Sequence, residues 1–272
     1  MSAVSPTATQ LSAYLDTIGF TGMPKTDLAT LTAVHRGHVE NIVWENIDVA
    51  LGRPLTRDPV DAFEKIVDRK RGGWCYEMNG LMGWMLEAIG FQVTWLAGAV
   101  NRAARGDEMI GNHLVMLVQL DRVYVADAGF GKGLIEPAKL TEGSFAQGPA
   151  HFRLEKIDSI WWRFHGHEGV MPPSFDFAPG ITDISLLEAR NQWQQSHPDS
   201  PFRRTLVVNG YRKGRLEMLT LPVHETLNEN GLTMCTLEAP EDLETLLSQT
   251  FGIPMPREDI ARLWAMKGTA PG

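Results

Sequence analysis

Cysteine is nearly absent, with two in 272 residues, Cys75 and Cys235. That count argues against a structural disulfide and leaves two free thiols to explain. Long apolar runs are missing as well. None reaches the roughly 18 residues that a membrane-spanning helix needs. The stretch from Met1 to Gln10 has neither the basic start nor the apolar run of a secretion signal. The expectation is a cytoplasmic protein with no membrane partner. Positive charge is in deficit, 25 Lys and Arg against 33 Asp and Glu, for a net charge of −8. That balance argues against a nucleic-acid partner held by a general positive field. Internal repeats and low-complexity tracts are also lacking. What remains is 43% hydrophobic and 21% charged, the composition of a globular chain long enough for more than one domain.

The first third has helical periodicity. Leu11, Tyr14, Leu15 and Ile18 share one face and end at Gly19. Asp27 is placed to cap a helix through His35, and Asp58 or Asp61 to open one through Val67. Gly72-Gly73 breaks the pattern. A longer helix follows Cys75 through Ile89 and stops at Gly90. Strand character begins at Phe91–Val100, then 101–111 is polar and loop-like. His113–Leu120 and Val123–Asp127 form a hairpin about Asp121-Arg122. Residues 152–154 and 160–164 add strands, so the middle third reads as an antiparallel sheet or small barrel. Helical spacing returns over Asp183–Ser196. Strands over 205–208, 215–221 and 232–237 follow, with turns at Asn209-Gly210, Lys213-Gly214 and Asn230-Gly231. Helices over 241–251 and 257–266 close the chain. Boundaries fall near residues 91 and 200.

Chemistry concentrates in Arg71-Gly72-Gly73-Trp74-Cys75-Tyr76-Glu77-Met78-Asn79-Gly80. A thiol at a helix start meets unpaired N–H groups and the positive end of the helix dipole, which favour the thiolate. A cysteine nucleophile needs a base. Among eight histidines, His113 opens a strand at the mouth of the hairpin, and Asp127 closes the opposite strand. Cross-strand neighbours lie about 5 Å apart at Cβ, close enough for a carboxylate to hold an imidazole. The other candidates read differently. His165-Gly166-His167 lacks further ligands nearby, so no metal site is expected. His35 and His38 read as solvated or capping, Cys235 as a buried small hydrophobe, and Trp161-Trp162 as strand packing. Gly129-Phe130-Gly131-Lys132-Gly133 lacks the Ser or Thr of a phosphate loop, though its glycines permit close approach of a ligand.

The cysteine segment resembles the signature of arylamine N-acetyltransferases. Trp44-Glu45-Asn46-Ile47-Asp48, the strand from Asn112 to Val118, Asp127-Ala128-Gly129-Phe130-Gly131 and Phe251-Gly252-Ile253 resemble further family segments in the same order. The resemblance implies an α+β fold with an N-terminal helical bundle (1–91), a central antiparallel β-barrel (92–199) and a C-terminal α/β lid (200–272). It also implies a catalytic core of the cysteine-protease and transglutaminase kind. Cys75 would accept the acetyl group, His113 act as base and Asp127 orient it. Acetyl-CoA would be the donor, and an aromatic amine, hydrazine or hydroxylamine the acceptor. Trp44, Asn112, Gly129, Phe130, Gly131 and Phe202 would bind substrate or CoA. Arg71, Glu45 and Asn46 would form a structural polar network. The chain departs from the family pattern at Trp44, Ala99, Asn112 and Ala128, which bears on substrate preference rather than reaction type. Oligomeric state stays open, a homodimer included. Two other readings fit the same three residue types: a hydrolytic or transglutaminase-like cysteine enzyme, and an inactive binding module.

Overall fold

The computed structural model describes residues 4–267. The opening residues 1–3 of the stretch examined for a signal, and 268–272, lie outside them. Helix starts follow local chemistry. α1 (Ala8–Thr17) is capped by Thr7, which exchanges hydrogen bonds with Gln10, and α2 (Leu28–Asn41) by the Asp27 carboxylate on the Thr30 amide. The two-residue strand β1 (Trp44–Glu45) leads into α3 (Ile47–Ala50). α4 (Pro59–Phe63) is opened by Asp58 rather than Asp61 and runs on as a π-helical turn over Glu64–Asp68. α5 (Cys75–Ile89) begins at the thiol and ends at Gly90, in the left-handed region with φ 111°.

Gly72 and Gly73 do more than break a helix. Gly73 bridges to Trp44, its amide donating to the Val43 carbonyl and its carbonyl accepting from the Glu45 amide. A Cβ at Gly72 would fall 2.2 Å from the Val43 oxygen. The glycines therefore let two backbones touch immediately before the cysteine.

The middle of the chain forms one eight-stranded sheet. Its strands are β2 (Gln92–Val100), β3 (His113–Gln119), β4 (Val123–Ala126), β5 (Ala138–Lys139), β6 (Gly143–Gln147), β7 (Ala150–Lys156), β8 (Trp162–His165) and β9 (Ser174–Phe177). Their order is β5-β4-β3-β2-β9-β8-β7-β6. This corrects the expected barrel: the sheet curls, but its edge strands β5 and β6 do not pair, so it stays open. The 101–111 segment is not all loop, since it holds the short helix α6 (Arg102–Arg105) and a 3-10 turn over Asp107–Met109. α7 (Ile184–Ser196), capped by Asp183, and α8 (Pro201–Arg204) return the chain toward α3.

A second antiparallel sheet, ordered β1-β10-β11-β12-β13, uses β10 (Val207–Arg212), β11 (Arg215–Thr220), β12 (Val223–Asn228) and β13 (Gly231–Thr236). Asn209-Gly210 is not a turn. Both residues pair across the ladder with Met218 and Glu217 in the interior of β10. β12 has only one fully buried position, Leu227, and so carries little hydrophobic signal. α9 (Pro240–Thr245), continued by a π-helical turn over Leu246–Thr250, and α10 (Arg257–Trp264) complete the chain. Their core joins Leu243, Leu247, Phe251 and Leu263 to Val43, Ile47 and Leu51 from the N-terminal third. A larger core unites α1, α2, α4 and α5 with the eight-stranded sheet.

Two of the burial expectations reverse. His35 and His38 are fully buried on the inner face of α2. His35 Nδ1 lies 2.9 Å from the Ile135 carbonyl oxygen, and His38 Nδ1 lies 2.9 Å from the Tyr14 hydroxyl. Burial, helped by the neighbouring His35, pushes the His38 pKa down to about 3, so it sits in the core uncharged. Cys235 goes the other way. It is exposed, because β13 is an edge strand with little packed against it.

Candidate active site

The site forms where the head of α5 meets the mouth of the β3–β4 hairpin. The ladder pairs Gln119 with Val123 and Met116 with Ala126, so the turn spans Leu120 to Arg122. Continuing that register sets Asp127 opposite Val115, which makes His113 its diagonal neighbour rather than its direct one. The contact still forms, with His113 Nε2 2.7 Å from Asp127 Oδ2. Both side chains are buried. The imidazole also rests against Phe175, ring centroids 4.9 Å apart, and against the edge of Phe130. With Nε2 held by the carboxylate, Nδ1 is the nitrogen left for a thiol.

Asp127 is held by more than histidine. Its Oδ1 accepts from the Gly129 amide at 2.7 Å, the Phe130 amide at 3.1 Å and Asn79 Nδ2 at 2.8 Å. Burial alone would raise its pKa, but His113 and these donors hold the carboxyl below the usual range. Asn79 was not among the expected site residues. It sits one helical turn after Cys75 on the same face of α5, donates to the Leu114 carbonyl at 2.6 Å and accepts from the Ala128 amide at 2.9 Å. One side chain thus ties α5 to β3 and to the Asp127 loop. The i, i+4 spacing from the cysteine was the readable signal.

Asn79→Ala would strand the Leu114 carbonyl and the Ala128 amide, at an expected cost of about 1–3 kcal/mol. Asn79→Asp should be worse than alanine, since it sets a second buried carboxylate against Asp127. Thermal denaturation of both variants checks the ranking. An aspartate variant as stable as the alanine one would contradict it.

Cys75 is buried, its sulfur 4.0 Å from the Asn112 carbonyl oxygen. Burial, reinforced by Asp127, pushes the thiol pKa well above the ordinary value, and the Leu114 and Tyr76 amides only partly oppose this. Desolvation thus opposes what the helix start alone would favour. A sulfur anion here needs a proton acceptor beside it.

Cys75 and His113 share one cavity of about 600 Å³. Trp44, Asn112, Gly129, Phe130 and Phe202 line it too, while Gly131 does not. A Cβ on Gly131 would fall 2.7 Å from Trp44 Cγ, so that glycine serves close packing beneath the wall. Gly129 likewise makes room for Asn79, 2.5 Å from where its Cβ would be. The Trp44 indole N–H donates to the Gly129 carbonyl at 2.7 Å, a bond that phenylalanine cannot make. Asn112 spends its amide on the Val100 backbone, accepting at 2.8 Å and donating at 3.1 Å. Arg105, Lys132, Arg190 and Trp193 also reach the cavity and were not anticipated. Arg105, Lys132 and the neighbouring pair Arg190 and Trp193 on α7 come from three distant stretches, and only the fold collects them. Lys132 is buried and donates to the Met171 carbonyl at 2.9 Å.

Behind Cys75 lies a buried ionic cluster. Arg71 meets Glu45 at 2.8 Å, and Lys65 meets Asp48 and Glu77, each at 2.9 Å. Glu77 also accepts from the Trp74 amide, the return half of a capping box at the head of α5. Burial disfavours the Lys65 ammonium, yet Glu45, Glu77 and Asp48 outweigh it and hold its pKa above the ordinary value. Asn46 stands apart from the charges. It bonds the Phe202 and Thr205 carbonyls and the Val207 amide, joining the N-terminal third to α8 and β10.

Elsewhere the histidine pair is engaged locally, His165 with Glu155 at 2.7 Å and His167 with the His151 amide at 3.1 Å. No cluster of three metal-ligating side chains occurs among the described residues, and none of their helices is long and apolar enough to cross a membrane. Trp161 is covered by the Arg102 guanidinium, 3.8 Å from the ring centroid.

Comparison with known proteins identifies the family. A family model described as N-acetyltransferase matches residues 27–260. The arylamine N-acetyltransferase of Mycolicibacterium smegmatis is 35% identical over 209 residues, 74% of this chain and 76% of its own. Arylamine N-acetyltransferase 1 of Bos taurus is 31% identical, over 89% of this chain and 82% of its own. Among solved structures, the Mycobacterium marinum arylamine N-acetyltransferase in complex with CoA superposes with a TM-score of 0.85 at 25% identity, covering 94% of this chain and 99% of its own. The enzyme from Nocardia farcinica gives 0.83 at 30% identity, over 95% and 94%. The chain belongs to the arylamine N-acetyltransferase family.

Proposed function

We propose that the protein transfers acetyl from acetyl-CoA to aromatic amines, hydrazines or hydroxylamines by a ping-pong route through acetyl-Cys75, with His113 as base and Asp127 as its partner. The observation that carries this reading is the His113–Asp127 bond of 2.7 Å, opening onto the cavity that also holds Cys75. In this reading residues 1–91 bring the nucleophile, 92–199 the base and its carboxylate, and 200–272 a cover. The core is then of the cysteine-protease and transglutaminase kind, in a cytoplasmic enzyme.

Asp127 fixes His113 with Nε2 protonated, so Nδ1 draws the proton from the raised Cys75 thiol as sulfur attacks the thioester carbon. The tetrahedral oxyanion calls for backbone donors, and the Cys75 N–H in the first turn of α5 is one candidate. Collapse breaks the bond to the CoA sulfur, which leaves with the imidazolium proton. The amine then attacks acetyl-Cys75, His113 takes a proton from the nitrogen, and the Cys75 sulfur departs. Trp44, Phe130 and Phe202 keep the thioester dry.

The test is incubation with acetyl-CoA and no amine. Mass spectrometry should find one acetyl group on the peptide carrying Cys75, discharged when an arylamine is added. A hydrolase would turn over donor without holding the label. A protein that neither gains the label nor consumes donor would be the inactive binding module.

A further inference from the structure

The second cysteine has its own base. Cys235 on β13 stands directly opposite His224 on β12, with Sγ 3.8 Å from Nδ1. His224 Nε2 lies 2.9 Å from Oε2 of Glu217, which is buried on β11. Glu217 also accepts from Thr226 Oγ1 at 2.7 Å and pairs with Arg215 at 2.5 Å. Burial works against its charge, but His224, Thr226 and Arg215 prevail, and its pKa lies below the usual value. The ionised carboxylate therefore keeps the proton of His224 on Nε2 and turns the Nδ1 lone pair toward the sulfur. The arrangement repeats the logic of His113 and Asp127, but on a surface. Cys235 is exposed, and β13 is the outer strand of its sheet.

We propose that Cys235 is a modification site that exchanges with small diffusible disulfides of the glutathione type. His224 takes the thiol proton as Sγ attacks one sulfur of the disulfide. A protein–small-molecule S–S bond forms, the original S–S bond breaks, and the departing thiolate collects the proton from His224. Cys235 is oxidised to the mixed disulfide and the small disulfide is reduced to one thiol.

The experiment uses the full chain carrying Cys75→Ser, which leaves Cys235 as the one thiol, with glutathione disulfide as probe. Mixed-disulfide formation is followed by intact mass, against a reference hexapeptide with the sequence of residues 232–237. The folded protein should react about 10-fold faster or more than the peptide, as expected for a thiol with an adjacent base. His224→Gln in the same background should return the rate to within about twofold of the peptide. With Cys75 intact, His224→Gln should keep acetyl transfer, which verifies the fold. A protein rate equal to the peptide's, or a fast rate that His224→Gln leaves unchanged, overturns the proposal. Should the glutamine variant lose its thermal transition, the comparison of protein with peptide decides alone.

Discussion

Cys75→Ser is expected to lose acetyl transfer by about 10⁴-fold or more, the scale seen when the nucleophile of a triad is removed. The reason lies in the site as much as in the atom. Burial and Asp127 already push the thiol up, and a hydroxyl starts several pKa units higher still. His113 can assist a thiol across that gap but not an alcohol. The fold should persist, because serine is slightly smaller than cysteine and its hydroxyl faces the Asn112 carbonyl. Single-turnover acetylation and circular dichroism check both halves. Residual transfer above about one part in a hundred would reject Cys75 as nucleophile, given the size of the effect. A companion measurement isolates the base. In His113→Gln, iodoacetamide alkylation of Cys75 should still be climbing beyond pH of about 8.5, where an ordinary thiol is half ionised. The sign follows from the shift: a raised acid pKa means less anion at any given pH. A plateau at the ordinary thiol value would show that desolvation does not control the sulfur.

Lys65→Met should be the most damaging single change to stability outside the hydrophobic core. The ammonium bonds Asp48 and Glu77 and lies 3.8 Å from Glu45. Without it, Arg71 still reaches Glu45 and Asp48, but Glu77 keeps no cation within salt-bridge distance among the described residues. Breaking a buried pair by removing one partner costs about 3–5 kcal/mol. The head of α5 would loosen too, because Glu77 caps it. The loss should depend on pH with a definite sign. Burial already raises the Glu77 pKa in the native protein, despite Lys65. Deprived of that partner, the carboxyl binds its proton more tightly when folded than when unfolded. The folded state is then favoured at low pH and loses that advantage as pH rises through the folded pKa. The melting deficit of the variant should be larger at pH 8 than at pH 5.5. Adding Glu77→Gln should recover part of it, because the uncompensated charge is gone. A deficit under about 1 kcal/mol, the effect of an ordinary surface change, would mean that water or rearrangement replaces the ammonium.

Local chemistry was legible where neighbours in sequence are also neighbours in space. Asp27 caps the helix that follows, Asp58 of the two aspartates offered caps α4, and Gly90 ends α5. The His113–Asp127 contact could be anticipated because a short hairpin brings its own ends together. The motif around Cys75 was equally visible, and with it the family.

What the chain alone left undecided concerns solvent and distance. Lys65 has no readable role in the sequence until three carboxylates close on it, Glu45 and Asp48 from one segment and Glu77 from α5. His35 and His38 look soluble until α1 and the loop at Ile135 cover α2. Cys235 carries a core-like pattern on an edge strand that leaves it exposed. The thiol of Cys75 looked activated by its helix start, whereas burial pushes its pKa the other way. Caps, turns and hairpin ends are written in bonds a few residues apart. Charge state and burial are set by what folds against a residue from elsewhere, and only the assembled structure supplies those partners.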